Sequence, residues 1–170
     1  MSCHGIWATK PWPCGHLGDV ARQCICPPMS VQKYRSKISG PLLDRVDIHL
    51  NVPPVAYEDL AARTPAESSA TVRARVEAAR DRQLHRFKQV PGMFANAHMG
   101  PRELARYVKV DAATEAVLKS AIVKLGLSAR AYHRVLKLAR TLADLEGTAE
   151  VGPGQVAEAI QYRVLDRGVQ

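Results

Sequence analysis

One short segment limits the fold more than any other feature of the chain. Val46-Asp47-Ile48-His49-Leu50-Asn51-Val52 alternates apolar and polar residues without a break, and its apolar side is rich in β-branched residues. A period of two predicts a strand. Pro53-Pro54 ends it. No other stretch carries a comparable strand pattern. A strand cannot stand alone, because its backbone donors and acceptors need partners. Either the chain is a piece of a larger fold, or another molecule supplies the pairing.

Everything after Pro54 reads as helix. Ser68 or Ser69 can cap a helix running to about Lys88, with Val72, Val76, Ala79, Gln83 and Phe87 on one stripe. Arg75, Arg82 and Arg86 flank that stripe on one side, Arg73 and Arg80 on the other. Residues 90–100 read as a hinge-like linker, and Pro101 suits the first turn of a short helix ending near Val108. Asp111 caps the next helix, faced by Val117, Leu118, Ala121, Ile122 and Leu125 and ended by Gly126. Ser128 caps another, with Leu127 and Tyr132 spaced as a hydrophobic staple. Val135, Leu138, Ala139, Leu142 and Leu145 form its stripe, and Gly147 stops it. Pro153 opens the last helix, with Val156, Ala157, Ile160 and Val164 facing inward. Short helices with short connections predict a compact bundle over 56–170. The fold expected is mainly α: a remnant of an α/β core over 1–55, with one strand, followed by the helical bundle. Ahead of the strand, residues 1–28 are rich in Cys, Pro, Gly and His without a period. Ser30 can cap a short helix through Ser36, broken by Gly40-Pro41.

Composition narrows the function classes. Hydrophobic residues make up 46% of the 170 and aromatics only 5%, so the core is aliphatic and alanine-rich. The formal net charge of +8 permits contact with a polyanion without establishing it. No stretch reaches the roughly 18 apolar residues of a membrane span, and the N-terminus lacks the pattern of a secretory signal. All four cysteines fall within the first 26 residues, which suits a local cluster in a reducing cytoplasm better than spread disulfides. No G-x-x-x-x-G-K-[ST] loop occurs, nor an apolar strand ending in paired acids. Phosphoryl transfer depends on such parts, so ATP hydrolysis by this chain alone is not expected. G-x-S-x-G, H-E-x-x-H and a glycine-rich dinucleotide loop are also absent from the sequence.

Several segments together carry a family resemblance. Ser39-Gly40-Pro41-Leu42-Leu43-Asp44-Arg45-Val46-Asp47 resembles the S-G-P-L-L-D-R-[IFV]-D segment of magnesium-chelatase-like AAA+ ATPases of the YifB/ComM group. Gly126 to Tyr132, continuing through Ala139 to Leu145, resembles that family's lid helix, and Val156 to Arg163 its terminal helix. Pro13-Cys14-Gly15 with Cys24-Ile25-Cys26 resembles its cysteine loop. The resemblance runs from about residue 10 to 167. It implies a C-terminal portion of a motor subunit, with ATP and Mg2+ as cofactors of the full-length family. It also implies AAA+ subunits as partners, a homo-hexamer in relatives. The ComM-like branch implies ATP-dependent DNA translocation in branch migration, in the cytoplasm and without a membrane.

The resemblance assigns roles residue by residue. Arg45 falls at the arginine finger, which acts on nucleotide bound by the neighbouring subunit. An arginine paired with Asp44 or Asp47 is the plainer alternative. Arg130 falls at the lid's second sensor, in the first turn of its helix, reaching the γ-phosphate of the same subunit. Arg134 and Arg140 read as surface or interface charges. The family reads N-P-C-P-C-G where this chain has Lys10-Pro11-Trp12-Pro13-Cys14-Gly15, so Lys10 replaces the first-sensor Asn and Trp12 the first cysteine. A truncated or frame-shifted gene product would look like this. Cys14, Cys24 and Cys26 are candidate zinc ligands, with His16, Cys3 or His4 as a fourth; free thiols are the alternative.

Two other function classes stay open at this level. The basic helix bearing Arg73, Arg75, Arg80, Arg82 and Arg86 can touch phosphates, as a small DNA-binding module would. The same arginines can instead cover the edges of a helix interface. The wider family's name also suggests a metal-chelation partner; the cysteine loop argues against it.

Overall fold

The computed structural model describes residues 5–9, 13–16, 22–52, 55, 61 and 66–163. Among them are seven α-helices: α1 Pro28–Arg35, α2 Gly40–Leu43, α3 Ser69–Phe87, α4 Pro101–Tyr107, α5 Ala112–Leu125, α6 Ala129–Glu146 and α7 Pro153–Gln161. A 3-10 turn spans Asn96–His98. No helix among the described residues is long and apolar enough to cross a membrane.

The punctuation residues set the helix ends as their chemistry requires. Ser68, Asp111 and Ser128 each take extended backbone and accept a hydrogen bond from the N–H three residues on. Gly126 and Gly147 end α5 and α6 in the left-handed region, at φ 60° and 79°. Pro101 and Pro153 open α4 and α7. The first helix differs slightly: it starts at Pro28 behind Pro27, two residues ahead of Ser30.

The core lies between α6, α7 and the end of α3. Phe87, Met99, Leu104, Leu118, Val135, Ala139, Ala143, Val151, Val156 and Ala159 are buried together. Small residues on α6 and α7 let these two helices approach closely. The expected stripes are partly displaced. Leu138 and Leu142 pack only at the core's edge, while Leu136 and Ala143 lie inside. Ala157 is exposed and Ala159 buried instead. Val164 lies outside the described residues. Val72 and Val76 are exposed, so only the C-terminal half of α3 is covered by the bundle.

The strand expected over Val46–Val52 is not formed; no strand occurs among the described residues. The reason is the one that made the segment informative: no second strand pairs with it. Its faces are reversed as well. His49 is 7% exposed, whereas Ile48, Leu50 and Val52 are 44%, 65% and 83% exposed. The segment is anchored from its polar side. His49 N–H donates to the Tyr162 carbonyl at 2.8 Å, and its Nε2 lies 3.2 Å from the Leu43 carbonyl. Arg163 Nη1 donates to the Val46 carbonyl at 2.7 Å. The segment is therefore tied to the end of α7 rather than to a sheet.

The 90–100 connection is not a hinge. Asn96 is buried, and its N–H donates to Gln83 Oε1 at 3.0 Å. Lys137 Nζ donates to the Ala97 carbonyl at 2.8 Å. The connection is pinned to both α3 and α6.

Candidate functional site

Asp44 ends α2, and the first turn of α6 closes on it. Ser128 caps α6 by accepting from Ala131 N–H at 3.1 Å, and its Oγ also donates to Asp44 Oδ1 at 3.0 Å. Arg130 Nη1 donates to Asp44 Oδ2 at 2.8 Å. Arg163 Nη2 lies 3.9 Å from Oδ1. Partial burial pushes the Asp44 carboxyl upward, but the bonds from Arg130 and Ser128 and the charges of Arg130 and Arg163 outweigh it. Asp44 is held below the usual carboxylate range. One helical turn further along α6, Arg134 Nη1 donates to Asp47 Oδ1 at 2.7 Å and to the Arg45 carbonyl.

These pairings bear on the plainer alternative for Arg45. Both carboxylates that could neutralise it are engaged elsewhere, Asp44 by Arg130 and Asp47 by Arg134. The Arg45 side chain is exposed and makes no hydrogen bond or ion pair among the described residues. Three guanidinium groups (Arg130, Arg134, Arg163) gather around the two carboxylates that flank Arg45 in the chain. The excess positive charge suits an anion. Asp44 thus brings the two sequence candidates together: it precedes Arg45 in the chain and binds Arg130 in space.

The cysteine loop is a second cluster. Cys14, Cys24 and Cys26 are free, and their three sulfurs lie within 4.8 Å of one another. His16 N–H donates to Cys14 Sγ at 3.4 Å. That bond, with help from the Cys26 thiol, holds the Cys14 thiol below its usual range; the hydrogen bond with Cys14 pushes Cys26 up. Cys3, His4, Lys10 and Trp12 lie outside the described residues.

A third centre was missed by sequence reasoning. Asp144, fully buried on α6, accepts from Arg86 Nη1 at 2.7 Å and from Arg86 Nη2. It also accepts from Asn96 Nδ2 at 2.8 Å and from Arg140 Nη2 at 2.9 Å. Arg140, read from sequence as a surface or interface charge, is buried, and it also donates to the Thr148 and Ala149 carbonyls. It holds the turn after α6 in place. Burial raises the Asp144 carboxyl, yet the bonds from Arg86 and Asn96 and the nearby arginine charges bring it below the usual range. The i,i+4 spacing of Arg140 and Asp144 was the only signal in the sequence, and surface pairs share it.

The basic face of α3 is largely spoken for. Arg86 binds Asp144, Arg82 donates to the Asp144 carbonyl at 2.7 Å, and Arg75 pairs with Glu67 at 2.8 Å. Arg82 and Arg86 cover the edge of a helix interface.

The relatives match these elements. The family model for the magnesium chelatase subunit ChlI C-terminal region matches residues 66–163, and that for the ChlI subunit itself matches 2–60. An uncharacterized protein YifB of Escherichia coli is 37% identical over 164 residues, covering 95% of this chain and 31% of the relative. YifB of Salmonella typhimurium is 39% identical over 165 residues, with 95% and 31% covered. Competence protein ComM of Haemophilus influenzae is 35% identical over 166 residues, with 97% and 31% covered. The chain therefore spans about a third of the length of these relatives. With one family model matching more than half of its residues, the chain belongs to the magnesium chelatase ChlI family, on its YifB/ComM side.

Proposed function

We propose that this chain is the nucleotide-responding part of an AAA+ ring ATPase, with Arg45 as the arginine finger acting on ATP held by a neighbouring subunit. The exposed Arg45 side chain carries this reading, because its two local carboxylates are taken by other arginines. A planar, permanently charged guanidinium can then meet a phosphate bidentately. It stabilises charge on the transferring phosphoryl group, an effect of about 10³–10⁵ in rate for such fingers. The partner subunit supplies the phosphate loop and Mg2+.

Arg130 serves the same phosphates. Its bond to Asp44, the residue before Arg45, supports a shared target over separate nucleotides. This departs from the division the resemblance implies, in which Arg130 reads its own subunit's nucleotide. Asp44 then acts as a stand-in anion that holds Arg130 until phosphate arrives. Likeness to the ComM-like group supports ATP-driven DNA remodelling as the work of the assembled ring, a hexamer in the cytoplasm. The isolated basic DNA-binding module draws less support, since Arg75, Arg82 and Arg86 are engaged within the chain.

Mixing the chain with an intact relative tests the proposal. The relative's ATPase rate should change with dose, and Arg45→Ala should abolish the change. An unchanged rate at saturating chain contradicts it.

A further inference from the structure

The geometry points to a zinc site formed by the thiolates of Cys14, Cys24 and Cys26, with the fourth coordination position left to a donor outside these three. The inference is independent of any role for Arg45. Cys14 and Cys24 sulfurs are 3.5 Å apart, and all three sulfurs lie within 4.8 Å of one another. A disulfide requires about 2.05 Å, so no pair is bonded. Sulfurs at about 2.3 Å from a tetrahedral zinc ion lie roughly 3.8 Å apart. The observed spacing brackets that edge length.

The loop's backbone supports a metal centre rather than a chance contact. Gly15 has φ 76°, a conformation only glycine adopts readily, and the turn it makes aims His16 N–H at Cys14 Sγ at 3.4 Å. Ile25 between the other two cysteines is exposed, while their sulfurs gather with that of Cys14. No described residue of this loop belongs to the bundle's hydrophobic core. A loop without a core of its own needs another organiser, and metal binding supplies folding free energy directly.

Ligand softness selects the ion. Thiolates favour zinc, copper(I) and iron–sulfur clusters over magnesium and calcium, and a tetrahedral edge near 3.8 Å fits zinc. The His16 ring is not within the mutual 4.8 Å of the three sulfurs. Among the described residues no fourth ligand joins the three sulfurs. Binding releases the thiol protons.

The test uses the full chain, purified without chelator and equilibrated with buffered Zn2+. One zinc per chain is expected, with X-ray absorption showing at least three sulfurs near ~2.3 Å. Co2+ in place of zinc should give thiolate charge-transfer bands. Cys24→Ser should weaken binding by about 100-fold or more while leaving the helical circular dichroism unchanged. Sub-stoichiometric zinc in the wild-type chain overturns the site.

Discussion

Asp144→Ala offers the sharpest test of what holds the bundle together. The substitution removes the acceptor shared by Arg86, Asn96 and Arg140. Each hydrogen bond to a charged group contributes about 1.5–3 kcal/mol. Adding all of them overstates the loss, because the Arg86 side chain is 16% exposed and can rehydrate. Arg140 cannot: its side chain is 2% exposed and would keep only the Thr148 and Ala149 carbonyls. Removing one partner of a buried ion pair costs about 3–5 kcal/mol. That is the expected loss, against about 1 kcal/mol for an average substitution. Urea unfolding followed by circular dichroism would read it as a midpoint lowered by on the order of 2 M. A double-mutant cycle with Arg86→Met should give a coupling of about 1–3 kcal/mol. A loss below about 1 kcal/mol for Asp144→Ala would refute the assignment of Asp144 as the bundle's buried ionic centre.

The remaining predictions concern caps, turns and pH. Gly126→Ala places an L-residue at φ 60° with nothing within 4 Å of the new Cβ, so only backbone strain of about 1 kcal/mol is expected in thermal unfolding. Gly147→Ala should cost more, because its Cβ would also lie 3.1 Å from the Arg82 guanidinium. Ser128→Ala should lower stability by about 1–2 kcal/mol, losing both the cap of α6 and the bond to Asp44. Ser128→Asp should keep the cap but loosen the Asp44 segment, detectable as faster amide exchange at His49. The carboxyls of Asp144, Asp44 and Asp111 are all lowered in the folded chain. Their contribution is thus present above the unfolded value of about 3.9 and is lost as pH falls through the folded values. The urea midpoint should fall as pH drops from about 5 toward 3, less steeply in Asp144→Asn.

Much of the helical framework was legible in the sequence because it is locally encoded. Ser68, Asp111, Ser128, Gly126, Gly147, Pro101 and Pro153 each act within one turn, and all mark real ends. The strand over Val46–Val52 was not, because a period of two states only a preference for pairing. The partner that would satisfy it is absent among the described residues, so anchoring through His49 and Arg163 decided the faces. The burial of Asp144 and Arg140 was not legible because a buried ion pair and a surface one have the same spacing. Val72 and Val76 lay on a sound apolar stripe, yet sequence gave no sign that the bundle stops short of them. In the candidate site, the types and positions of Arg45 and Arg130 were visible. The bond of Arg130 to Asp44, the residue before Arg45, is a tertiary fact, since the two lie 86 positions apart.

The account rests most heavily on Arg45 acting on another subunit's nucleotide. The direct measurement is complementation of an intact relative whose own arginine finger has been replaced by alanine. Adding this chain should restore a measurable ATPase rate, and the chain carrying Arg45→Lys or Arg45→Ala should not, although each still folds and docks. Equal rates with wild-type and Arg45→Ala chains would contradict the account.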